Sequence, residues 1–214
     1  MDRVDFKKLS SFQIDAVKEV GNIGAGNAAT ALSKLMKKKI SMYVPNVRIM
    51  EFKDISNMLE NAEKPVVGIL IKILGDLPGY ILFILEYETA DLFLRNLSEN
   101  NSIQMGVSEN RFMFSEFDLS ALKEVGNILA GSYLAALSLL TGLNIYTSVP
   151  GIAIDMAGSI LSFPAIELSK ICNNVLYIET GFYEGTNKIK GDLILIPALE
   201  AYEVLLKALG AGIE

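Results

Sequence analysis

KEVGNI occupies residues 18–23 of the chain and recurs unchanged at residues 123–128. When residues 16–45 are laid over residues 121–150, sixteen of the thirty positions agree without a gap. The matched positions include a Val-Pro pair at the end of each copy. Two copies are too few, and a period of about 100 residues is too long, for a solenoid of stacked repeats. The repeat therefore predicts an internally duplicated domain in which both halves keep the same polar surface feature.

The composition predicts a folded chain with a well-filled core. The 214 residues can form one large domain or two small ones, and 51% of them are hydrophobic. The longest apolar stretch, residues 66–87, is interrupted by charged residues and by Pro78, so we expect no membrane insertion. The first residues do not resemble a secretion signal, and the lone Cys172 cannot form an internal disulfide. These features favour a cytoplasmic location.

Charge and missing residue types narrow the possible functions. The net charge is −6, and the dense basic run at residues 37–39 follows a helical segment, where lysines complement the helix dipole. We therefore expect no nucleic-acid binding. The chain has no histidine, which excludes His-based triads and His-ligated zinc, and one cysteine excludes Cys-rich metal sites. An enzyme built from this chain must use carboxylates, amides, hydroxyls, lysines or a group that a partner supplies.

Both halves show the same order of elements, α-β-(α)-β-β-α. Capping-box patterns at Ser10/Gln13 and Ser115/Asp118 precede the two long helices. We predict that each half begins with a long helix, over residues 11–36 and 116–140, which is followed by a β-rich segment, over 40–52 and 143–156. A short helical or irregular stretch comes next, over 54–61 and 157–169. Each half then has a pair of strands, 65–74 with 79–87 and 174–183 with 189–197, and closes with a helix, over 89–97 and 198–209.

The predicted fold class is α+β, with two pseudo-twofold related halves that share one antiparallel sheet of about six strands flanked by helices. The halves span about residues 9–97 and 115–210, and a polar linker over residues 98–113 joins them. Each half is only about 100 residues long, and we expect the two to share one core as well as one sheet. We therefore expect a single domain over residues 1–214.

The repeated polar residues share one side of each long helix. At about 100° per residue, Asp15, Glu19 and Asn22 fall within a stripe about 60° wide. Gly26, Ala29 and Ser33 continue this stripe as a floor of small side chains, and the second copy repeats it with Ser120, Glu124, Asn127, Gly131 and Ser138. The opposite sides should form the core, with Val17, Val20, Gly24, Ala28, Ala31 and Leu35 in one copy and Leu122, Val125, Leu129, Ala136 and Leu140 in the other.

A polar stripe on an amphipathic helix is more often solvated surface than a functional site. Two observations favour a site here. Asparagine is a mediocre helix former, and glycine costs about 1 kcal/mol relative to alanine inside a helix, yet both copies keep these residues. The spacing of Gly21, Gly24 and Gly26 also suggests a phosphate-binding loop, but no strand precedes it and it lies inside a helix. The glycines are better explained by close helix packing and by the approach of a partner.

The pattern Asp/Ser-x3-Glu-x2-Asn-x22-Pro occurs twice and ends at Pro45 and Pro150. It resembles the signature of the CheC family of bacterial chemotaxis phosphatases, and the duplication is similar to its two-site members. The resemblance covers essentially the whole chain. It implies an enzyme of signal transduction, a hydrolase that removes the aspartyl phosphate from the chemotaxis response regulator CheY-phosphate.

The resemblance also implies roles for the repeated residues. Asn22 and Asn127 would insert beside the phosphate and position the attacking water, and Glu19 and Glu124 would pair with a lysine of the regulator. Supporting contacts would come from Asp15 and Ser120, while the regulator would pass over Gly26 and Gly131. Pro45 and Pro150 would shape an adjoining edge strand or turn. The protein would need no cofactor or metal of its own, because the regulator supplies Mg²⁺.

Two other functions remain open from the sequence. The chain could be a non-catalytic scaffold that sequesters CheY-phosphate or the deamidase CheD, which family members bind through the region after the second Val-Pro. In that region, residues 151–161, Asp155 is the best candidate contact, although a strand end followed by a core helix explains the segment equally well. Nucleotide binding is a more distant alternative.

Overall fold

Eight β-strands form one antiparallel sheet that carries helices on both sides. The computed structural model describes residues 11–51, 54–55, 62–97, 114–168, 174–184 and 187–210. Within these residues the strands are β1 (Ile40–Tyr43), β2 (Val47–Glu51), β3 (Pro65–Gly75), β4 (Gly79–Glu86), β5 (Ile145–Thr147), β6 (Gly151–Met156), β7 (Asn174–Glu184) and β8 (Asn187–Pro197). The helices are α1 (Ser11–Met36), α2 (Tyr87–Leu97), α3 (Glu116–Thr141), α4 (Ala157–Leu168) and α5 (Leu199–Gly210).

The two halves exchange their edge strands. The order is β1-β7-β8-β4-β3-β5, with β2 also pairing with β7 and β6 also pairing with β3. β1 and β2, from the first half of the sequence, therefore pair with β7 of the second half, and β5 and β6 pair with β3 of the first. The centre joins the halves through β4 and β8. Because each half supplies the edge of the other, the duplicated halves share one sheet, as predicted.

The expected number of strands, about six, was too low because each Val-Pro pair divides one β-rich segment into two strands. Between the pairs Tyr43↔Gly181 and Val47↔Ile178, three residues of one strand oppose two of β7. The second copy repeats this bulge between Thr147↔Ile73 and Gly151↔Leu70. Proline has no N–H to donate to a ladder, so an extra residue beside it is left out of the pairing.

The long helices agree with prediction. α3 begins at a capping box in which Ser115 Oγ accepts from Asp118 N at 3.2 Å and Ser115 N donates to Asp118 Oδ2 at 2.8 Å. It ends before Gly142, whose φ of 71° is left-handed. Ser10 of the other predicted capping box lies outside the described residues, as do the linker 98–113 and most of the segment 54–61.

One side of the sheet packs against α1 and α3, which also pack against each other. Three residues assigned to the core are not fully buried: Leu35 is 38% and Leu140 45% exposed, and Ala31 is half-buried. Leu32 and Leu137 are buried in their place. Each long helix packs against the sheet and against the other long helix, so the buried side changes direction along its length. A prediction that keeps the buried side at one fixed angle therefore misplaces residues near the end of the helix.

Helix α3 is the one helix in the described part of the chain that is long and apolar enough to cross a membrane by length and composition. In the fold 44% of its apolar window is buried. Its packing against α1 and the sheet accounts for this apolar character. On the other side of the sheet a smaller core forms around α4, with Ile160 and Leu161 among its buried members.

Candidate active site

The polar stripe of α1 lies on the surface, as predicted. Asp15, Glu19, Asn22 and Gly26, which we call site one, are all exposed. Lys18 Nζ lies 4.0 Å from Asp15 Oδ1, one turn away on the same helix. An exposed pair at this distance contributes little to stability. Site one is therefore an open polar surface on a long helix.

The equivalent stripe of α3 has the same placement. Ser120, Glu124, Asn127 and Gly131, which we call site two, are likewise exposed. The Ser120 hydroxyl donates to the carbonyl of Glu116 at 2.9 Å and so bonds to its own helix. The two sites therefore share a Glu, an Asn and a Gly at the same spacing, and they differ at the first position.

The central side chains of both sites are available to a partner. Within the described residues, neither the Asn22 nor the Asn127 amide has a hydrogen-bond partner, and neither Glu19 nor Glu124 forms an ion pair. Each helix holds its Glu and Asn three residues apart, so that both point from the same side. A Glu and an Asn held together on a rigid helix and left without internal partners can bind an external group without breaking any internal contact.

The glycines of the motif serve two different purposes. A Cβ at Gly126 would lie 2.7 Å from the Ile69 side chain, and one at Gly24 would lie 2.9 Å from the Cα of Tyr133. These positions allow α1, α3 and the sheet to approach closely. A Cβ at Gly26 or Gly131, in contrast, would meet nothing within 4 Å. The structure thus separates packing glycines from surface glycines, and only the latter lie in the sites.

The predicted floor of small side chains ends at Gly26 and Gly131. Ser33 and Ser138 are half-buried, and both hydroxyls bond to the chain beyond their own helix. Ser33 Oγ donates to the Ile40 carbonyl and accepts from the Ile40 N–H at 2.9 Å, while Ser138 Oγ donates to the Leu143 carbonyl. The placement of these serines in an open stripe was therefore wrong, because they hold each long helix to the segment that follows it.

The segments after the helices differ between the halves. Pro45 is exposed and Pro150 is half-buried. A Cβ at Gly21 would lie 3.3 Å from Val44, which packs on the core, whereas the equivalent Val149 is 87% exposed. Both prolines lie at the strand interruptions described above, in agreement with the predicted structural role.

Asp155 lies exposed on β6, at an end of the sheet. Its Oδ1 accepts the backbone N–H of Met156 at 2.7 Å. The helix that follows, α4, contributes Ala157, Ile160 and Leu161 to the smaller core. The segment 151–161 is thus an outer strand followed by a core helix, and a contact of Asp155 with CheD stays a prediction.

Sequence reasoning missed one feature of each site. Phe12 and Phe117 are exposed, at 43% and 73%, in the first turn of α1 and of α3. They occupy equivalent positions of the repeat, ten residues before Asn22 and Asn127. Both positions hold phenylalanine, and they lie just before the matched stretches 16–45 and 121–150. This identity could have revealed the feature from the sequence.

The described side chains with a raised pKa, which include the buried Tyr133 of α3, are not members of either site. Tyr177 donates to Asp192 Oδ1 at 2.5 Å, and burial raises the pKa of both side chains. Tyr177 belongs to the smaller core around α4. Within the described residues, no group of three or more Asp, Glu or Cys side chains could hold a metal ion.

Comparisons with known proteins agree with this geometry. The profile of the CheC-like family matches residues 12–49 and 117–154, one match for each repeat. The "CheY-P phosphatase CheC" of Bacillus subtilis (strain 168) is 36% identical over 210 residues, which are 97% of this chain and 99% of that protein. The "Flagellar motor switch phosphatase FliY" of the same organism is 29% identical over 146 residues, 66% of this chain and 35% of that protein.

Among solved structures, Thermotoga maritima FliY superposes with a TM-score of 0.73 at 22% identity and covers 96% of this chain and 99% of that chain. At this identity the likeness concerns the fold alone. The resemblance that the duplicated motif suggested is confirmed by the B. subtilis relative, which spans almost the full length of both proteins. This chain therefore belongs to the CheC-like family.

Proposed function

We propose that this protein is a phosphatase that hydrolyses the aspartyl phosphate of a CheY-type response regulator. The observation that carries the proposal is the duplicated, exposed Glu-x-x-Asn pair, which no other described residue engages. The B. subtilis relative of similar length is named a CheY-P phosphatase, which supports the same activity. The protein acts as an enzyme and not only as a binding surface.

The reaction requires few functional groups from this chain. An aspartyl phosphate is an activated acyl phosphate, and the regulator brings its own lysine and Mg²⁺ to the phosphoryl group. The phosphatase therefore needs to place a water in line with the bond that breaks. The water oxygen bonds to phosphorus as the bond to the regulator's carboxylate oxygen breaks, which releases inorganic phosphate and restores the carboxylate.

The Asn22 and Asn127 amides suit this task. The amide oxygen accepts a hydrogen bond from the water, and the amide nitrogen donates to a phosphoryl oxygen. The group is uncharged and adds no repulsion near a phosphoryl dianion. Each amide is carried by a long helix that packs against the rest of the fold. Little conformational entropy is therefore lost when the amide enters the regulator's site.

Glu19 and Glu124 anchor the regulator one turn away from each amide. A carboxylate that pairs with a lysine of the regulator forms a charge-assisted hydrogen bond that fixes the angle of approach. Asp15 and Ser120 extend this contact by another turn. The regulator passes over Gly26 and Gly131, where the missing side chains leave open space.

One assay tests the activity directly. Purified CheY-type regulator is phosphorylated, and release of inorganic phosphate is followed with the protein present at about one hundredth of the regulator concentration. Many phosphates released per protein molecule are the expected result. Loss of phosphate that stops at one per protein, or none above the regulator's own rate, would contradict the proposal.

A second role, binding of a partner such as CheD, is favoured by one observation. β6 forms an outer strand of the sheet and exposes Asp155 beside Met156, which is 53% exposed. Outer strands and exposed apolar side chains are frequent contact points. Binding of purified CheD that is lost in Asp155→Lys is the expected result, and equal binding by the variant would exclude this contact. A cytoplasmic location, where such regulators act, is part of the same proposal.

A further inference from the structure

The two exposed phenylalanines, Phe12 and Phe117, are not explained by the fold. A single exposed apolar side chain on a soluble protein is ordinary and carries no information. Here the same aromatic residue is exposed at the same position of both repeats, in the first turn of each site-bearing helix. The residues around the two sites differ, yet both halves have this exposed aromatic ring.

Helix geometry places each phenylalanine on the same broad side of the helix as its site. Phe117 precedes Glu124 by seven residues, which is two turns and leaves the two side chains about 20° apart around the helix. It precedes Asn127 by ten residues, or about 15 Å along the axis. Gly131 lies about 40° and Asn127 about 80° around the helix from Phe117, so the four residues share one broad side of the helix over about 21 Å. Phe12 and site one repeat this arrangement on α1.

We propose that Phe12 and Phe117 are apolar anchors for the phosphorylated regulator, each serving the site on its own helix. The proposal rests on the proposed function and adds a requirement on the partner. A regulator whose phosphoaspartate lies over Asn22 or Asn127 must present an apolar surface about 15 Å from it toward the start of the helix. A basic group that pairs with Glu19 or Glu124 lies between the two points.

Charge favours the regulator as the occupant of this surface. Exposed carboxylates lie near each ring, Asp15 and Glu19 near Phe12 and Glu116 and Glu124 near Phe117, and in each copy they outnumber the one lysine among them, Lys18 or Lys123. An anionic membrane would be repelled by them, and a second copy of this chain would bring like charges together. A partner that offers lysine beside an apolar patch is complementary. Aromatic residues, phenylalanine among them, are enriched in the buried core of protein interfaces.

The test isolates one site at a time. In an Asn22→Ala background, where site two acts alone, Phe117→Ser should raise KM for the phosphorylated regulator about tenfold and leave kcat near that of the background. In an Asn127→Ala background, Phe12→Ser should act in the same way on site one. Phe→Leu at either position keeps an apolar contact and should restore most of the affinity.

Val204→Ser provides the matched control, because Val204 is 39% exposed on α5, a helix that carries neither site. It should change neither KM nor kcat. Binding of the regulator loaded with beryllofluoride and Mg²⁺, measured by calorimetry, should weaken in parallel with KM. An unchanged KM in both Phe→Ser variants would overturn the anchor role while the parent still hydrolyses the phosphate. Absence of hydrolysis by the parent would instead overturn the proposed function.

Discussion

Sites one and two present the same Glu, Asn and Gly on long helices, but their surroundings differ. Asp15 lies near Lys18 in site one, whereas Ser120 bonds back to its own helix in site two. Val44 covers Gly21 in the first half, whereas the equivalent Val149 is exposed in the second. The shared residues are those that the proposed chemistry requires. The residues that differ between the halves change the packing against each helix and the negative charge of its exposed surface.

Removal of both amides should have the largest effect and would show whether the two sites are the whole of the activity. We expect Asn22→Ala with Asn127→Ala to lower the accelerated rate of phosphate release by at least about 100-fold, because the water is no longer held in line. Each single variant should keep partial activity. Phosphate release and a melting curve like that of the parent are the two measurements. A double variant as active as the parent would refute the water-positioning role.

Bulk at the open glycines tests whether the regulator lies along both helices. Gly26→Arg with Gly131→Arg should give a folded, soluble protein that no longer hydrolyses CheY-phosphate, since a Cβ at either position would meet nothing within 4 Å. Circular dichroism and phosphate release measure fold and activity. A chain that fails to fold would show that these glycines serve internal packing. Normal hydrolysis would mean that the regulator approaches from another direction.

Charge reversal should act on docking at both sites. Glu19→Lys with Glu124→Lys should weaken regulator binding by about 2–5 kcal/mol if the ion pair becomes desolvated in the complex. Added salt should weaken binding by the parent in the same direction, because it screens the attraction. Calorimetric titration at two ionic strengths provides the comparison. Equal affinities of parent and variant would leave the glutamates as solvated surface.

The smallest effect should come from making the two sites alike at their first position. In the Asn22→Ala background, Ser120→Asp gives site two the carboxylate that site one carries at Asp15. An exposed charge pair is worth about 0.2–1 kcal/mol, so KM for the regulator should fall by up to about fivefold. Ser120→Ala, which removes only the hydroxyl, is the control. A rise in KM would show that the added charge repels an acidic part of the regulator.

The long helices could be predicted from the sequence because local rules determine them. Their apolar period and the Ser115 capping box lie within the segment itself, and they place Asn22 and Asn127 on the exposed side correctly. The Val-Pro bulges escaped prediction because a proline indicates an interruption but does not reveal the register on either side. One of the resulting strands, β5, has only three residues and is too short to be recognised by pattern.

The exchange of strands escaped prediction for a different reason. Nothing in residues 40–51 indicates that their partner is β7 and not β3, because strand pairing depends on contacts distant in sequence. The role of Ser33 was missed in a similar way, since its hydroxyl bonds to Ile40 only once the chain turns back after α1. Long-range contacts of this kind limit what composition and periodicity can reveal.

The exchanged strands also determine the order in which the two halves complete their strand pairing during synthesis. Ile40 pairs with Glu184, so β1 has no partner until the ribosome has added about 140 further residues. At about 5–20 residues per second, that wait lasts roughly 7–30 s. Through this interval β1 and β2 remain as unpaired strands on the nascent chain, exposed to chaperones and to aggregation. Site one is translated first, but the strands that follow its helix pair only when β7 emerges, whereas β5 and β6 after site two find β3 already synthesised.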